Sequence, residues 1–423
     1  MAFVSFIVVS GFVDGWLLVL MMMMVVVVHK LMGVVGSFSF IFGMEAMDSL
    51  SVMMVELSVY IVSLGMMWAF MSNGSKFMWG CGAVMVVALL VLFISASYLI
   101  FYLMYEITVL LLVVMVALWG SNPERLVSLI YLVVYMLGFS MPMFFVLMYV
   151  ISLNGVSVFW SISNVSVVMM IVVFFAMFVK IPVYLVHYWL PKVHVEASTG
   201  VSMILAGILL KMGGYGFFRF YCMWGLSVQL SEVVMSVSLI GVIISAVMCI
   251  YLSDLKEIVA YSSVVHMGLM VSVLVMMKMA AFIGVVSMLL FHGFTSMMLF
   301  HLVGYVYMVV ESRSLMVVKS LVKMGSLLSM VFFVSLIMNM GFPLTGNFLA
   351  EIYLVPILVT VGGLVGVVLV LYLFIGCVYN ILVYVYLLVG GSESVWGEML
   401  VMMGYLIMFL WSVVVLGYVL MLM

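Results

Sequence analysis

Charged side chains are scarce in this sequence: they make up 6% of its 423 residues, against 70% hydrophobic residues and a mean hydropathy of +1.54. A soluble domain carries about 25% charged residues, so too few are present to wet a surface of this size. The formal net charge of −2 gives no basis for binding a polyanion, which excludes a nucleic-acid partner. The four cysteines, Cys81, Cys222, Cys249 and Cys377, are scattered without CxxC pairing, which argues against a metal or disulfide framework. Six prolines, six histidines and a single glutamine, Gln229, stand against 49 methionines and abundant Val, Leu, Gly and Phe. The abundant residues have G- and T-rich codons and the scarce ones need A and C. That bias, with no transit-peptide pattern in the opening residues, points to a strand-biased organellar gene; a nuclear locus would contradict it.

What remains is apolar runs punctuated by short polar turns. A membrane-spanning helix needs about 20 apolar residues, and adding loops gives about 30 residues per span, hence about 14 spans. The runs are apolar on every face, unlike the alternating strands of a barrel, so the expected fold is an all-α polytopic membrane protein. The expected spans run about 4–28, 31–47, 50–72, 77–96, 97–119, 127–151, 164–190, 198–220, 233–252, 256–277, 280–309, 325–355, 359–388 and 399–422. Two contain a proline that should break the helix: Pro182 after Lys180, and Pro343 in the stretch Gly341 to Asn347. In a membrane such a break is tolerated only against protein or a water-filled cavity. Broken helices in two halves of a chain point to an inverted-repeat transporter. The expected organisation is N-terminal helices over 1–76, a first repeat over 77–220, a second over 233–388 and a C-terminal helix over 399–422.

A few ionisable residues sit inside these runs. A carboxylate at the centre of a membrane helix costs about 2.5–3.5 kcal/mol on insertion scales, so Glu106 persists because it is paired, hydrated or useful. Lys180 precedes the first break, and Lys211 lies in Ile204–Gly214; either lysine could instead snorkel to an interface. His266 and His292 fall in successive spans, where a lone histidine is more often a packing residue, although neutral imidazole can also accept and donate a proton. Glu351 follows the second break. The segment His187 to Glu196 holds His187, His194 and Glu196; its spacing matches no compact metal site and reads as a solvated or proton-exchanging loop. Asp254 and Lys256 open a helix, where an acidic residue suits the dipole and capping is the simpler role. Lysines and glutamates alternating along a route make a reasonable proton relay. No nucleotide motif, CxxC pattern or haem signature is present, so no redox centre is expected in the chain.

The segment Phe174 to Glu196, continued by Leu209-Leu-Lys-Met-Gly-Gly-Tyr-Gly216, resembles subunit 4 of mitochondrial NADH:ubiquinone oxidoreductase. So do Trp119-Gly-Ser-Asn-Pro-Glu-Arg125, Asp254-Leu-Lys256, Ala260-Tyr-Ser-Ser-Val-Val-His-Met267 and His292-Gly-Phe-Thr-Ser296, in the family's order across roughly residues 48–385. The resemblance implies fourteen helices with two inverted five-helix repeats, each with one broken helix. It implies a proton path in which Glu106 pairs with Lys180, Lys211 is central, His266 and His292 continue the route and Glu351 is its exit. It also implies a place in the membrane arm of respiratory complex I in the mitochondrial inner membrane, among lipids, other membrane-arm subunits and especially neighbouring antiporter-like subunits. NAD, FMN, iron–sulfur clusters and ubiquinone would then belong to other subunits. The chain departs from the family pattern at Ser198, where proline is usual, and at the single Pro343 and Ala350 before Glu351. The rival readings are a subunit of a bacterial multi-subunit Na+/H+ antiporter and a purely structural membrane subunit.

Overall fold

The computed structural model describes residues 49–388, except 72–75, 121–123, 156–158, 160–164, 277–278 and 319–325. Valine-rich runs would favour strands in water, yet the described residues are overwhelmingly helical. A helix satisfies every backbone N–H and C=O within its own segment, and in lipid that requirement overrides propensity.

The helices, in chain order, are α1 Ser49–Met71, α2 Lys76–Ile94, α3 Tyr98–Trp119, α4 Arg125–Asn154, α5 Val167–Lys180 and α6 Trp189–Glu196. Next comes α7 Thr199–Ile204, which runs through a π turn at Leu205–Leu209 into α8 Leu210–Trp224. The remainder are α9 Val228–Tyr251, α10 Leu255–Leu274, α11 Met279–Val310, α12 Ser326–Met340, α13 Gly346–Val359 and α14 Gly363–Leu388. Nine helices among the described residues are long and apolar enough to cross a membrane. The expected spans 4–28, 31–47 and 399–422 lie outside the described residues; in each of the others the described residues are mainly helical, so the chain is a multi-pass membrane protein.

Both expected breaks are present, between α5 and α6 and between α12 and α13. Proline alone does not explain them, because Pro142 and Pro356 sit inside uninterrupted helices. What the two breaks share is a leucine forced into positive φ just after the proline, Leu185 at 86° and Leu344 at 75°. Such a conformation costs a non-glycine residue about 1–3 kcal/mol and persists only where the surrounding structure imposes it.

By internal packing the described residues form two compact units. One holds the helices up to Lys180 together with Glu196–Ser227; the other holds Ile181–Val195 and the helices from Val228 onward. In the first, Gly65 of α1 and Gly200 of α7 allow close helix approach, since a Cβ on Gly200 would meet the Gly65 carbonyl. Beside that contact the Trp68 indole N–H donates to the Thr199 hydroxyl. An aromatic cluster of Phe174, Phe178 and Phe217 joins α5 to α8, with centroid distances of 4.9 and 5.2 Å to Phe217. In the second unit, the Asp254 side chain accepts from the Lys256 N–H at 3.1 Å and caps α10, so the capping role is the one observed. Asp254 also faces Arg313 at 3.8 Å, and Lys256 is buried.

Candidate functional site

In the first unit the end of α5 buries Lys180, 1% exposed, against α3. Its ammonium rests on the face of the Tyr105 ring and reaches the Tyr105 carbonyl at 3.5 Å. An aromatic face offers a cation the negative side of its quadrupole, so the ring substitutes in part for lost water. The next residue on α3 is Glu106, whose two carboxylate oxygens make no hydrogen bond among the described residues. The direct pair with Lys180 that the resemblance implied is therefore not formed; Tyr105 stands in its place. Glu106 still feels the Lys180 charge, and Ser140 of α4 faces both Glu106 and Tyr102. Coulomb interaction falls only as the inverse of distance, so the carboxylate can bias the lysine without touching it.

Lys211, 0% exposed, does not snorkel to an interface. Its Nζ donates at 2.7 Å to the Ala206 carbonyl, inside the π turn Leu205–Leu209. A π turn widens the helix by one residue and disturbs its regular bonding, and such turns concentrate at functional positions. One helical turn further on, Tyr215 donates to the Phe93 carbonyl at 2.8 Å and carries Arg219 over its ring at 4.9 Å.

In the second unit four helices bring together His266 of α10, His292 of α11, Glu351 of α13 and Tyr372 of α14, all buried. The two imidazoles lie 5.6 Å apart, centroid to centroid. Tyr372 donates to Glu351 Oε1 at 2.6 Å and lies 3.3 Å from His266 Nδ1, whereas His266 Nδ1 and Glu351 Oε1 are 3.9 Å apart. Asn339, which faces the same imidazole, donates to Asn380 at 3.1 Å. This amide pair, Ser262 and Tyr379 help to line a cavity of about 10 Å³, near the smallest volume that admits one water. Gly341 fits against Glu351: it has φ 71°, and an added Cβ would lie 2.5 Å from Glu351 Oε2. Gly341→Ala should therefore lower the stability of the protein by about 1–3 kcal/mol and displace the carboxylate. A lower thermal midpoint is the expected result.

The segment His187 to Glu196 is not a solvated loop. Most of it is helix α6, and both histidines are buried in aromatic stacks. His187 lies between Tyr184 and Tyr188 at 4.9 and 4.6 Å, and His194 lies parallel to Phe300 at 4.6 Å. Glu196 is also buried. The flat imidazoles stack on the neighbouring rings and fill the space there.

The sequence reading leaves out Glu56 and His301, which meet its own criterion of an ionisable group within an apolar run. It also leaves out the neutral polar residues Asn339, Asn380 and Tyr372. The two asparagines were open to discovery, because a buried amide in a membrane span needs a partner. Tyr372 gave no signal, since tyrosine in such a run reads as packing.

Comparison with known proteins gives these features a family. The model of the NADH:quinone oxidoreductase/Mrp antiporter membrane family matches residues 95–376. NADH-ubiquinone oxidoreductase chain 4 of Albinaria caerulea is 31% identical over 367 residues, covering 84% of this chain and 83% of that protein. The chain belongs to the NADH-ubiquinone oxidoreductase chain 4 family. Another chain 4 relative, from Aedes aegypti, is 34% identical over 290 residues, covering 67% of this chain and 65% of that protein. Among solved structures, a chain of respiratory complex I from Thermus thermophilus with bound NADH shares the chain 4 fold at a TM-score of 0.87 and 19% identity. It covers 97% of this chain and is itself covered to 94%. A chain of the Mrp complex from Dietzia sp. is more distant, with a TM-score of 0.76, 15% identity and coverage of 93% and 77%.

Proposed function

We propose that this chain is a proton-translocating membrane-arm subunit of the NADH:ubiquinone oxidoreductase complex in the mitochondrial inner membrane. Its partners are the other membrane-arm subunits, the neighbouring antiporter-like subunits above all, and the surrounding lipid. The observation that carries this reading is the set of ionisable groups held inside apolar helices: buried Lys180 and Lys211 with half-buried Glu106, whose carboxylate oxygens are shielded, in one unit, and buried His266, His292 and Glu351 in the other. Each such group costs several kcal/mol to bury and is rarely retained without a use.

The groups are taken to act in their order along the chain. Charge on Glu106 decides whether Lys180 holds its proton. A proton displaced from Lys180 passes to Lys211 and onward through the histidines to Glu351, with water bridging what the side chains do not reach. The driving energy comes from quinone reduction in other subunits, which would hold NAD, FMN, the iron–sulfur clusters and ubiquinone. The sequence of this chain has no nucleotide motif or cysteine pair with which to hold such groups.

The Mrp likeness keeps a sodium-coupled antiporter in view, and the two readings differ in the ion moved. Replacing Glu106 with glutamine removes its charge while preserving its volume. The expected result, read as acidification driven by NADH in vesicles holding the assembled complex, is a severalfold loss that sodium does not restore. An unchanged proton flux would contradict the role of Glu106, and a sodium flux in place of the proton flux would favour the antiporter.

A further inference from the structure

We infer that Tyr372 is the bridge by which a proton passes between His266 and Glu351, an inference that rests on the proton-path reading above. The distances decide the route. His266 Nδ1 and Glu351 Oε1 are 3.9 Å apart, beyond hydrogen-bond range, so the two cannot exchange a proton directly in this arrangement. The Tyr372 hydroxyl lies between them, 2.6 Å from the carboxylate and 3.3 Å from the imidazole nitrogen. It is buried, and its ring meets His266 edge-on at 6.4 Å and 89°.

A phenol has one proton to donate, and the short contact commits it to Glu351. Toward His266 the hydroxyl can then only accept, so Nδ1 must carry the imidazole proton. That leaves Nε2, which makes no hydrogen bond among the described residues, as the atom that receives an incoming proton. His292, whose ring lies 5.6 Å away, is the imidazole placed to supply it.

The step balances without any further reactant. A proton arriving at Nε2 makes His266 an imidazolium. The Nδ1–H bond then breaks as a new O–H bond forms on Tyr372, and the original Tyr372 O–H bond breaks as one forms on Glu351 Oε1. Imidazolium becomes neutral imidazole, carboxylate becomes carboxylic acid, and the phenol is regenerated. Loss of the carboxyl proton and return of the imidazole to its Nδ1–H form reset the bridge.

The test compares Tyr372→Phe, Glu351→Gln and their double variant in the assembled complex, reading proton translocation driven by NADH. Phenylalanine keeps the ring and removes only the hydroxyl. Its expected effect is a loss of roughly tenfold or more, the scale of a missing acid–base group, with assembly intact. The double variant should be no slower than Glu351→Gln alone, because both changes interrupt one step. An impaired Glu351→Gln beside a normal Tyr372→Phe overturns the bridge and leaves the path standing. A normal Glu351→Gln overturns the path itself. Infrared difference spectra of the unmutated complex, with its tyrosines isotopically labelled, supply a readout that does not depend on assembly of a variant. A labelled tyrosine band must change together with the Glu351 carboxyl band during turnover, and a carboxyl change with no tyrosine change overturns the bridge.

Discussion

Lys180→Met should abolish most proton translocation while leaving the complex assembled. Methionine matches the lysine stem in volume and flexibility, and its sulfur can sit on the Tyr105 face now occupied by the ammonium. Replacing a buried charge with a well-packed apolar group is commonly neutral or stabilising by about 1–4 kcal/mol, because the cost of desolvation disappears. A lysine that merely holds helices together therefore predicts a complex at least as stable and as active as the original. A lysine that carries protons predicts a loss of tenfold or more in NADH-driven acidification, equivalent to about 1.4 kcal/mol or more on the limiting step. Thermal stability and flux measured on the same preparation separate the two. Lys180→Arg should rescue poorly, since guanidinium keeps its proton under all working conditions and cannot relay it.

Glu351→Gln is the second large effect. The amide oxygen can still accept the Tyr372 hydroxyl, and the side chain still fits against Gly341, so packing changes little. Losing the charged acceptor of one hydrogen bond costs about 1.5–3 kcal/mol at most, and removing the desolvated charge offsets it. What cannot be replaced is the capacity to bind and release a proton. The expected result is a pumping loss of the size seen with Lys180→Met, with normal amounts of complex. Glu351→Asp keeps the titrating group but withdraws it by one methylene from Tyr372, and should pump at an intermediate rate.

Most of the ionisable set was legible in the sequence because charge is rare in apolar runs, although Glu56 and His301 meet the same criterion and were not singled out. The two breaks were legible only in part. Pro182 and Pro343 mark them, but Pro142 and Pro356 sit in helices that continue, and the positive φ of Leu185 and Leu344 has no counterpart in composition. How each group is held was not legible. Lys180 on the Tyr105 ring, Lys211 folded back onto Ala206 and the stacked His187 and His194 depend on side chains that the fold brings near, and spacing along one helix does not encode them. The same holds for Tyr372, which joins α14 to residues on α10 and α13.

The most direct measurement is the number of protons moved per NADH oxidised by complexes carrying Lys180→Met, Glu351→Gln or both changes together. A relay in series predicts that each single change lowers the ratio and that the double variant falls no further than the worse single one. A ratio equal to that of the unmutated complex in all three would contradict the claim that these buried groups carry the protons.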